Sequence, residues 1–194
     1  MARHDPNIYF DKMDVDHFPV RPAFGFLFET PESRLAISGD TTYCPALIKA
    51  CKGFDVLVHE VFIHRGESHQ METREDLGSR NVMSYHTASD VVGHVAREAE
   101  VGVLVLSHFV PTRFDEEALL HQVCADFDGP ILVGEDLMHI DVANRRVLSY
   151  GMTMSLGETP EPEAPPPAPT RVRGRNRAKT KLTAKSKKAR AKRL

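Results

Sequence analysis

The pattern of apolar positions predicts an alternating αβ domain over residues 23 to 154. Apolar residues alternate from Phe24 to Thr30, and with Arg34 to Ser38 this stretch predicts a hairpin closed by the turn PES. The runs DVLVHE (55 to 60) and VGVLVLSH (101 to 108) are typical of buried strands. Three shorter strands follow, PILVG, MHIDV and RVLSY, of which the last two form a hairpin around ANR.

Three segments between these strands have the features of helices. The first starts at Pro45 and ends at Gly53, because proline suits a first turn and glycine a C-terminal stop. Thr87 and Asp90 resemble a capping box, followed at helical spacing by Val91, Val92, Val95 and Ala99. A third helix is predicted over residues 115 to 127. Residues 61 to 85 are mixed in charge without a sustained period, which indicates a long functional loop.

The two ends of the chain differ from this central part in composition. Residues 1 to 22 form a lead-in, which could be the interior of a longer domain, and residues 155 to 170 form a linker rich in Pro and Glu. Residues 171 to 194 hold 12 Lys or Arg and no acid, which leaves 13 basic against 27 acidic side chains before them. We expect an acidic folded body and a disordered basic tail.

No segment has the length and apolarity of a membrane span, and the polar N-terminus has no apolar signal-peptide core. The cytoplasm is therefore the expected compartment, with no membrane partner. Within the body, three predicted strands end in side chains that bind metals or move protons: Asp40, the pair His59 and Glu60, and His108. Because the carboxyl ends of strands line the ligand crevice of layered α/β folds, we expect these residues to form one site.

The segments SGDT, HE, YHT and LSHF occur here in an order, at a spacing and between strands that resemble the metallo-β-lactamase-fold hydrolases, most closely the ribonuclease Z subgroup. The resemblance covers roughly residues 15 to 150. It implies an αββα sandwich of which this chain carries the second, C-terminal αβ half. It further implies a metal-dependent hydrolase acting on a phosphodiester, such as RNA, or on another ester.

The resemblance also implies roles for individual residues. Asp40 matches the aspartate that bridges two metal ions, and His108 matches a ligand of the second ion. His59 and Glu60 match a catalytic His-Glu pair, and His86 a further catalytic histidine that the glutamate orients. Such an imidazole can donate a proton to the leaving oxygen. The implied cofactor is Zn²⁺, two ions per complete site, with Mn²⁺ or Fe as alternatives.

The family's HxHxDH motif and a further ligand histidine lie upstream of SGDT, but only 39 residues precede Asp40, and His4 and His17 do not form that motif. Of seven expected ligands we assign two, so we expect the chain alone to bind metal incompletely and to have doubtful activity. A half sandwich should also expose an apolar face. The expected partners are a separately encoded first half or a second copy in a homodimer.

The basic tail suggests RNA or DNA as a further partner, since flexible cations bind phosphates without sequence preference. The candidate contacts are Arg171, Arg173, Arg175, Arg177, Lys187 and Lys188. Two alternative functions remain open. One is a non-catalytic nucleic-acid-binding module, in which the half-domain is a scaffold for the tail. The other is a mononuclear metal protein that uses the histidine-rich loop, His64 and His69, with Asp40 or His108.

Overall fold

The structure is a computed structural model that describes residues 8 to 63 and 82 to 157. Its strands are β1 (Tyr9–Asp14), β2 (Phe24–Glu29), β3 (Arg34–Ile37), β4 (Val56–Phe62), β5 (Leu104–Val110), β6 (Ile131–Val133), β7 (His139–Asp141), β8 (Arg146–Ser149) and β9 (Met152–Ser155). Its helices are α1 (Pro45–Ala50), α2 (Ser89–Glu98) and α3 (Glu116–Cys124). In the described part of the chain, no helix has the length and apolarity needed to cross a bilayer.

The first six strands form one mixed sheet in the order β1-β2-β3-β4-β5-β6. Strands β1 to β3 are antiparallel, and β3 to β6 run parallel to one another. Strand β1 lies in the segment that the sequence analysis describes as a lead-in. The apolar pattern does not predict this strand, because five of its six residues are exposed. It pairs with β2 along the edge of the sheet, so the folded part begins earlier than the pattern predicts.

One face of this sheet packs against the three helices. Leu57, Leu104 and Leu106 of the central strands are fully buried there, against Leu47 of α1 and Leu119 of α3. Each parallel strand pair needs a crossover connection, and the crossover helices cover this face of the sheet. The alternation of apolar strands and amphipathic helices in the sequence is thus realised as a two-layer αβ unit.

Within the described ranges, the other face is covered in part by a second sheet in the order β7-β8-β9. Val147 of this small sheet is buried against Val56 and Val105 of the large sheet. Strand β9 was not predicted, since all four of its residues are exposed. Leu156 beyond it is buried, so the folded part continues past residue 154.

An apolar strip stays open at the β1 and β2 edge of that face. The ring of Phe10 is 53% exposed, and it stacks on Phe26 with the centroids 6.0 Å apart and lies 5.1 Å from Phe28. Phe26 and Phe28 are themselves only partly buried. This strip corresponds to the apolar face that a half sandwich is expected to expose.

Two local predictions about the site segments need correction. Strands β4 and β5 continue to Phe62 and Val110, so Glu60 and His108 lie within strands rather than at their ends. Helix α2 has Ala88 as its N-cap and no side-chain cap, so the predicted capping box is wrong. The Thr87 hydroxyl donates instead to the carbonyl oxygen of Thr41, at 2.8 Å.

Candidate metal and catalytic site

Asp40 reaches the site through a tight turn after β3. Gly39 has a φ of 61°, a left-handed conformation that favours glycine. A Cβ atom at this position would lie 2.2 Å from the backbone oxygen of Phe24. The Ser38 hydroxyl donates to the Gly39 carbonyl at 2.6 Å. The glycine of SGDT is therefore required by the backbone, and the turn that it allows presents the Asp40 carboxylate at the edge of the sheet.

Glu60 is a buried carboxyl group, with a side chain that is 2% exposed. Its Oε1 accepts hydrogen bonds from the backbone N–H of Thr87, at 2.8 Å, and of Thr41, at 3.3 Å. Its own N–H donates to Ser38 Oγ at 3.1 Å. These contacts join the segments SGDT, HE and YHT and aim the second oxygen, Oε2, at His86.

The imidazole of His86 lies directly beside Glu60. Its Nδ1 is 3.1 Å from Glu60 Oε2, and its side chain is 6% exposed. The contact does not have the alignment of a hydrogen bond, and neither atom has another hydrogen-bond partner among residues 8 to 63 and 82 to 157. A proton between these two buried atoms would satisfy both, which is the arrangement expected of a Glu-oriented histidine.

His108 enters the site from an irregularity in β5. The pairing shifts so that Glu60 lies opposite Ser107 while Val61 lies opposite Phe109, and this leaves His108 outside the register with a φ of 46°. A non-glycine residue held at positive φ is strained, and such strain concentrates at functional sites. Nδ1 of His108 lies 3.4 Å from Asp40 Oδ1, and its ring stacks on His86 at 5.7 Å.

His17 is a member of the site that the sequence analysis did not assign. It is buried, and its Nδ1 donates to the Tyr85 carbonyl at 2.7 Å, so Nε2 faces Asp40 Oδ2 at 4.0 Å. Its ring centroid is 4.9 Å from that of His86. The available signal was a histidine upstream of SGDT but inside the stretch from residue 15 that resembles the hydrolase family.

His59 is placed differently from the other predicted residues. Its imidazole is 1% exposed, and its Nδ1 donates to the backbone oxygen of Glu60 at 2.7 Å. Burial lowers the pKa of His59 to about 4, so the ring is neutral at physiological pH. Among the described residues, neither group of potential metal ligands includes His59. The structure therefore places His59 beside Glu60, outside both groups of potential metal ligands.

Burial favours the neutral forms of the Glu60 and His86 pair. It raises the pKa of Glu60 to about 8, although the Thr87 and Thr41 N–H groups oppose this shift. Burial also lowers the pKa of His86, against the field of Asp40. A neutral glutamic acid beside a neutral imidazole carries the same single proton as a carboxylate beside an imidazolium. The pair is thus built to hold one proton near pH 7.

The side chains around Asp40 have the chemistry of a metal site. Two groups of three have ligand atoms within 4.8 Å of one another: His17, Asp40 and His86, and Glu60, His86 and His108. Imidazole nitrogens and carboxylate oxygens are the ligands that zinc takes in catalytic sites. The residues present therefore fit a metal ion, and among the described residues His86 belongs to both groups. The predicted contacts of the tail and the loop residues His64 and His69 lie outside the described residues.

Comparisons with known proteins agree with this fold. Ribonuclease Z of Mycobacterium tuberculosis H37Rv is 33% identical over 134 residues, which is 68% of this chain and 48% of that protein. Ribonuclease Z of Mycolicibacterium gilvum is 33% identical over 130 residues, 66% of this chain and 44% of that protein. The chain thus spans about half the length of these curated relatives. No family model matches the chain.

Among solved structures, the metallo-β-lactamase fold protein YhfI from Bacillus subtilis superposes with a TM-score of 0.54 and 18% identity, over 67% of this chain and 48% of that chain. The layered sheet and this superposition therefore show a protein of the metallo-β-lactamase fold. Within that fold, the sequence matches show that the chain is ribonuclease Z-like.

Proposed function

We propose that this chain is the second half of a zinc-dependent phosphodiesterase of the cytoplasm that cleaves RNA. The observation that carries the proposal is the buried Glu60 and His86 pair, set beside the potential metal ligands His17, Asp40 and His108. A proton-holding pair next to a metal site is what hydrolysis of a phosphodiester requires. The substrate class is suggested by the relatives, which are named ribonuclease Z.

The residues of this chain have separable tasks in such a reaction. A bound metal ion supplies Lewis-acid polarisation of a phosphoryl oxygen. Asp40, His17 and His108 would hold the ion, and His86 would donate a proton to the leaving oxygen. Glu60 keeps the His86 ring in place, while the N–H groups of Thr41 and Thr87 fix the glutamate. The pair holds one proton near pH 7, which suits a general acid at that pH.

The complete site needs the other half of the sandwich. The open strip around Phe10 supports docking of a complementary half at this face, either separately encoded or in a second copy of this chain. We propose that the chain alone has no measurable turnover, because among residues 8 to 63 and 82 to 157 the candidate ligands near Asp40 are fewer than those of a two-ion site. We also propose that the basic residues after position 170 bind the nucleic-acid substrate.

The experiment that tests the proposal is a chimera with the Mycobacterium tuberculosis relative. Residues 8 to 157 replace the matching part of that ribonuclease Z, and cleavage of a structured RNA is measured with zinc or manganese and with a chelator. We expect metal-dependent cleavage by the chimera, and loss of cleavage in its Asp40→Asn and His86→Gln variants. His94→Ala is the matched control, since His94 lies on the outer surface of α2 and contacts Glu98.

Each outcome of this experiment has a defined meaning. A folded, metal-loaded chimera that leaves RNA intact would refute the proposal. RNA binding that weakens steeply with salt, together with such inertness, would instead identify the non-catalytic binding module. Turnover by the unmodified 194-residue chain would show that the site is complete without a partner, which contradicts the half-site part of the proposal.

A further inference from the structure

The strongest unassigned feature is the convergence of His17 and His86 on Asp40. We infer that this chain by itself binds a single metal ion through His17, Asp40 and His86, with the proton-donating histidine serving as a ligand. The inference rests on the metal dependence in the proposed function and goes beyond it. It assigns a one-ion site that differs from both the two-ion site of a complete domain and the site on the histidine-rich loop.

The first support is the composition and spacing of these three residues. Their ligand atoms lie within 4.8 Å of one another. Ligand atoms on one tetrahedral zinc ion lie roughly 3.3 Å apart, so small side-chain shifts would bring the three groups onto a single ion. Two histidines and one carboxylate form a common three-ligand zinc site, with a fourth position left for water or substrate. His17 and His86 are buried, so the ion would be shielded from competing solvent on one side.

The second support is the way each histidine is held. A metal-binding histidine usually donates its other ring N–H to a backbone carbonyl or a carboxylate, which fixes the ring. His17 donates Nδ1–H to the Tyr85 carbonyl at 2.7 Å and keeps Nε2 toward Asp40. His86 has Nδ1 at 3.1 Å from Glu60 Oε2, which leaves Nε2 for an ion. A hydrogen bond thus fixes the His17 ring before any ion binds, while the His86 ring is placed by a close contact with Glu60 that lacks hydrogen-bond alignment.

His108 is held less firmly than these two residues. Its side chain is 52% exposed, and its contact with Asp40 is an ion pair at 3.4 Å. We therefore expect it to contribute less than His86 to binding of a single ion. A His86 ring engaged by the ion cannot deliver a proton to a leaving group. The one-ion state is accordingly a resting state, and ligands from a complementary half would release His86 for catalysis.

The test uses the full 194-residue chain and measures binding of Zn²⁺ alone by calorimetry and of Co²⁺ by absorption. We expect one ion per chain. His86→Ala should weaken zinc binding more than about 100-fold, since losing even a residue that only orients a ligand costs about 10- to 100-fold. His94→Ala and the double variant His64→Ala/His69→Ala should leave the affinity unchanged.

A direct readout of the coordination comes from His86→Cys. If position 86 is a ligand, Co²⁺ added to this variant should give a thiolate-to-cobalt charge-transfer band that the parent chain lacks, although the parent has three other cysteines. Circular dichroism of the metal-free variants checks that they fold. A folded His86→Cys chain that binds Co²⁺ without the band, or unchanged zinc affinity in His86→Ala, would overturn the inference.

Failure of this inference is distinct from failure of the proposed function. If position 86 proves not to be a ligand while one ion still binds through His17 and Asp40, the phosphodiesterase proposal stands and His86 is free at all times. If the chimera proves inert while the Co²⁺ band appears, the one-ion site stands without the proposed activity. Metal binding is measured on this chain and RNA cleavage on the chimera, so either result can fail without the other.

Discussion

Replacement of Glu60 by Gln should remove a distinct pH dependence from the stability of the metal-free chain. Glu60 is buried, and its pKa is raised from an ordinary 4.5 to about 8, so the folded state keeps a proton that the unfolded chain loses. This contribution to stability is fully present below pH 4.5 and is lost as the pH rises toward 8. The buried His59, with its pKa lowered from 6.5 to about 4, has the opposite effect. Its contribution is present above pH 6.5 and is lost as the pH falls toward 4.

Above pH 6.5, Glu60 is the main source of the pH dependence of stability. Between pH 4.5 and 6.5 the opposing slopes of Glu60 and His59 largely cancel, and the lowered pKa of His86 adds to the effect of His59. Above pH 6.5 the histidines of the unfolded chain lose their remaining protons, so Glu60 increasingly sets the slope, which reaches at most about 1.4 kcal/mol per pH unit. Glu60 is half titrated at pH 8, and the histidines still oppose it just above pH 6.5. We therefore expect a stability maximum near pH 6.5 and a loss of about 1 kcal/mol by pH 8.

The assay is urea unfolding in the presence of a chelator, at half-unit steps from pH 6 to 8.5. Far-ultraviolet circular dichroism reports the transition, because the chain contains no tryptophan. Glu60→Gln keeps an oxygen for the N–H groups of Thr41 and Thr87 but cannot ionise, so its stability should be flat above pH 6.5. A parent chain that is equally stable at pH 6.5 and 8 would refute the reasoning. So would a Gln variant that loses stability as steeply as the parent.

Three further predictions concern the turn, the bridge between segments and the tail. Gly39→Ala should destabilise the chain by at least about 2 kcal/mol in urea unfolding, because its backbone is left-handed and a Cβ meets the Phe24 carbonyl; unchanged stability would contradict the left-handed turn. Thr87→Val should lower the free energy of unfolding by about 1 to 3 kcal/mol, because it removes the hydroxyl that donates to the buried Thr41 carbonyl. Thr87→Ser should retain most of the stability. Equal losses in the two variants would contradict the role of the hydroxyl. Deletion of residues 171 to 194 should weaken RNA binding and flatten its dependence on salt, as measured by fluorescence anisotropy; an unchanged salt slope would exclude the tail as a phosphate contact.

Much of the fold could be predicted because its central elements carry strong periodic signals. The hairpin of β2 and β3, the apolar runs of β4 and β5 and the helices between them all bury side chains at regular spacing. Strands β1 and β9 could not be found in this way, since nearly all their residues are exposed and the strands are held by ladder hydrogen bonds. Backbone pairing leaves no mark on the pattern of apolar positions.

The site was predictable where the chemistry lies next to a strand and hidden where it depends on contacts between segments. Asp40, Glu60 and His108 follow or end apolar runs, whereas His86 was assigned through the YHT segment. The structure brings these four residues together. His17 follows the exposed strand β1, and the Tyr85 carbonyl that fixes its ring lies 68 residues later in the chain. Thr87 resembled a helix cap because its spacing to Asp90 was right. Its hydroxyl instead donates a hydrogen bond to the Thr41 carbonyl oxygen, a long-range contact that local sequence patterns do not predict.

Backbone groups from several segments of this chain shape the site. Backbone groups of Thr41, Thr87 and Tyr85 hold Glu60 and His17, and the Asp16 carbonyl accepts from the N–H of Thr42 at 2.8 Å. Buried hydrogen bonds of this kind fix side-chain positions before a ligand binds. The conformational entropy of these side chains is therefore lost on folding rather than on binding. On the proposed function, a complementary half then adds ligands to a geometry that already exists. Its absence should lower metal stoichiometry and activity while the Glu60 and His86 pair keeps its arrangement.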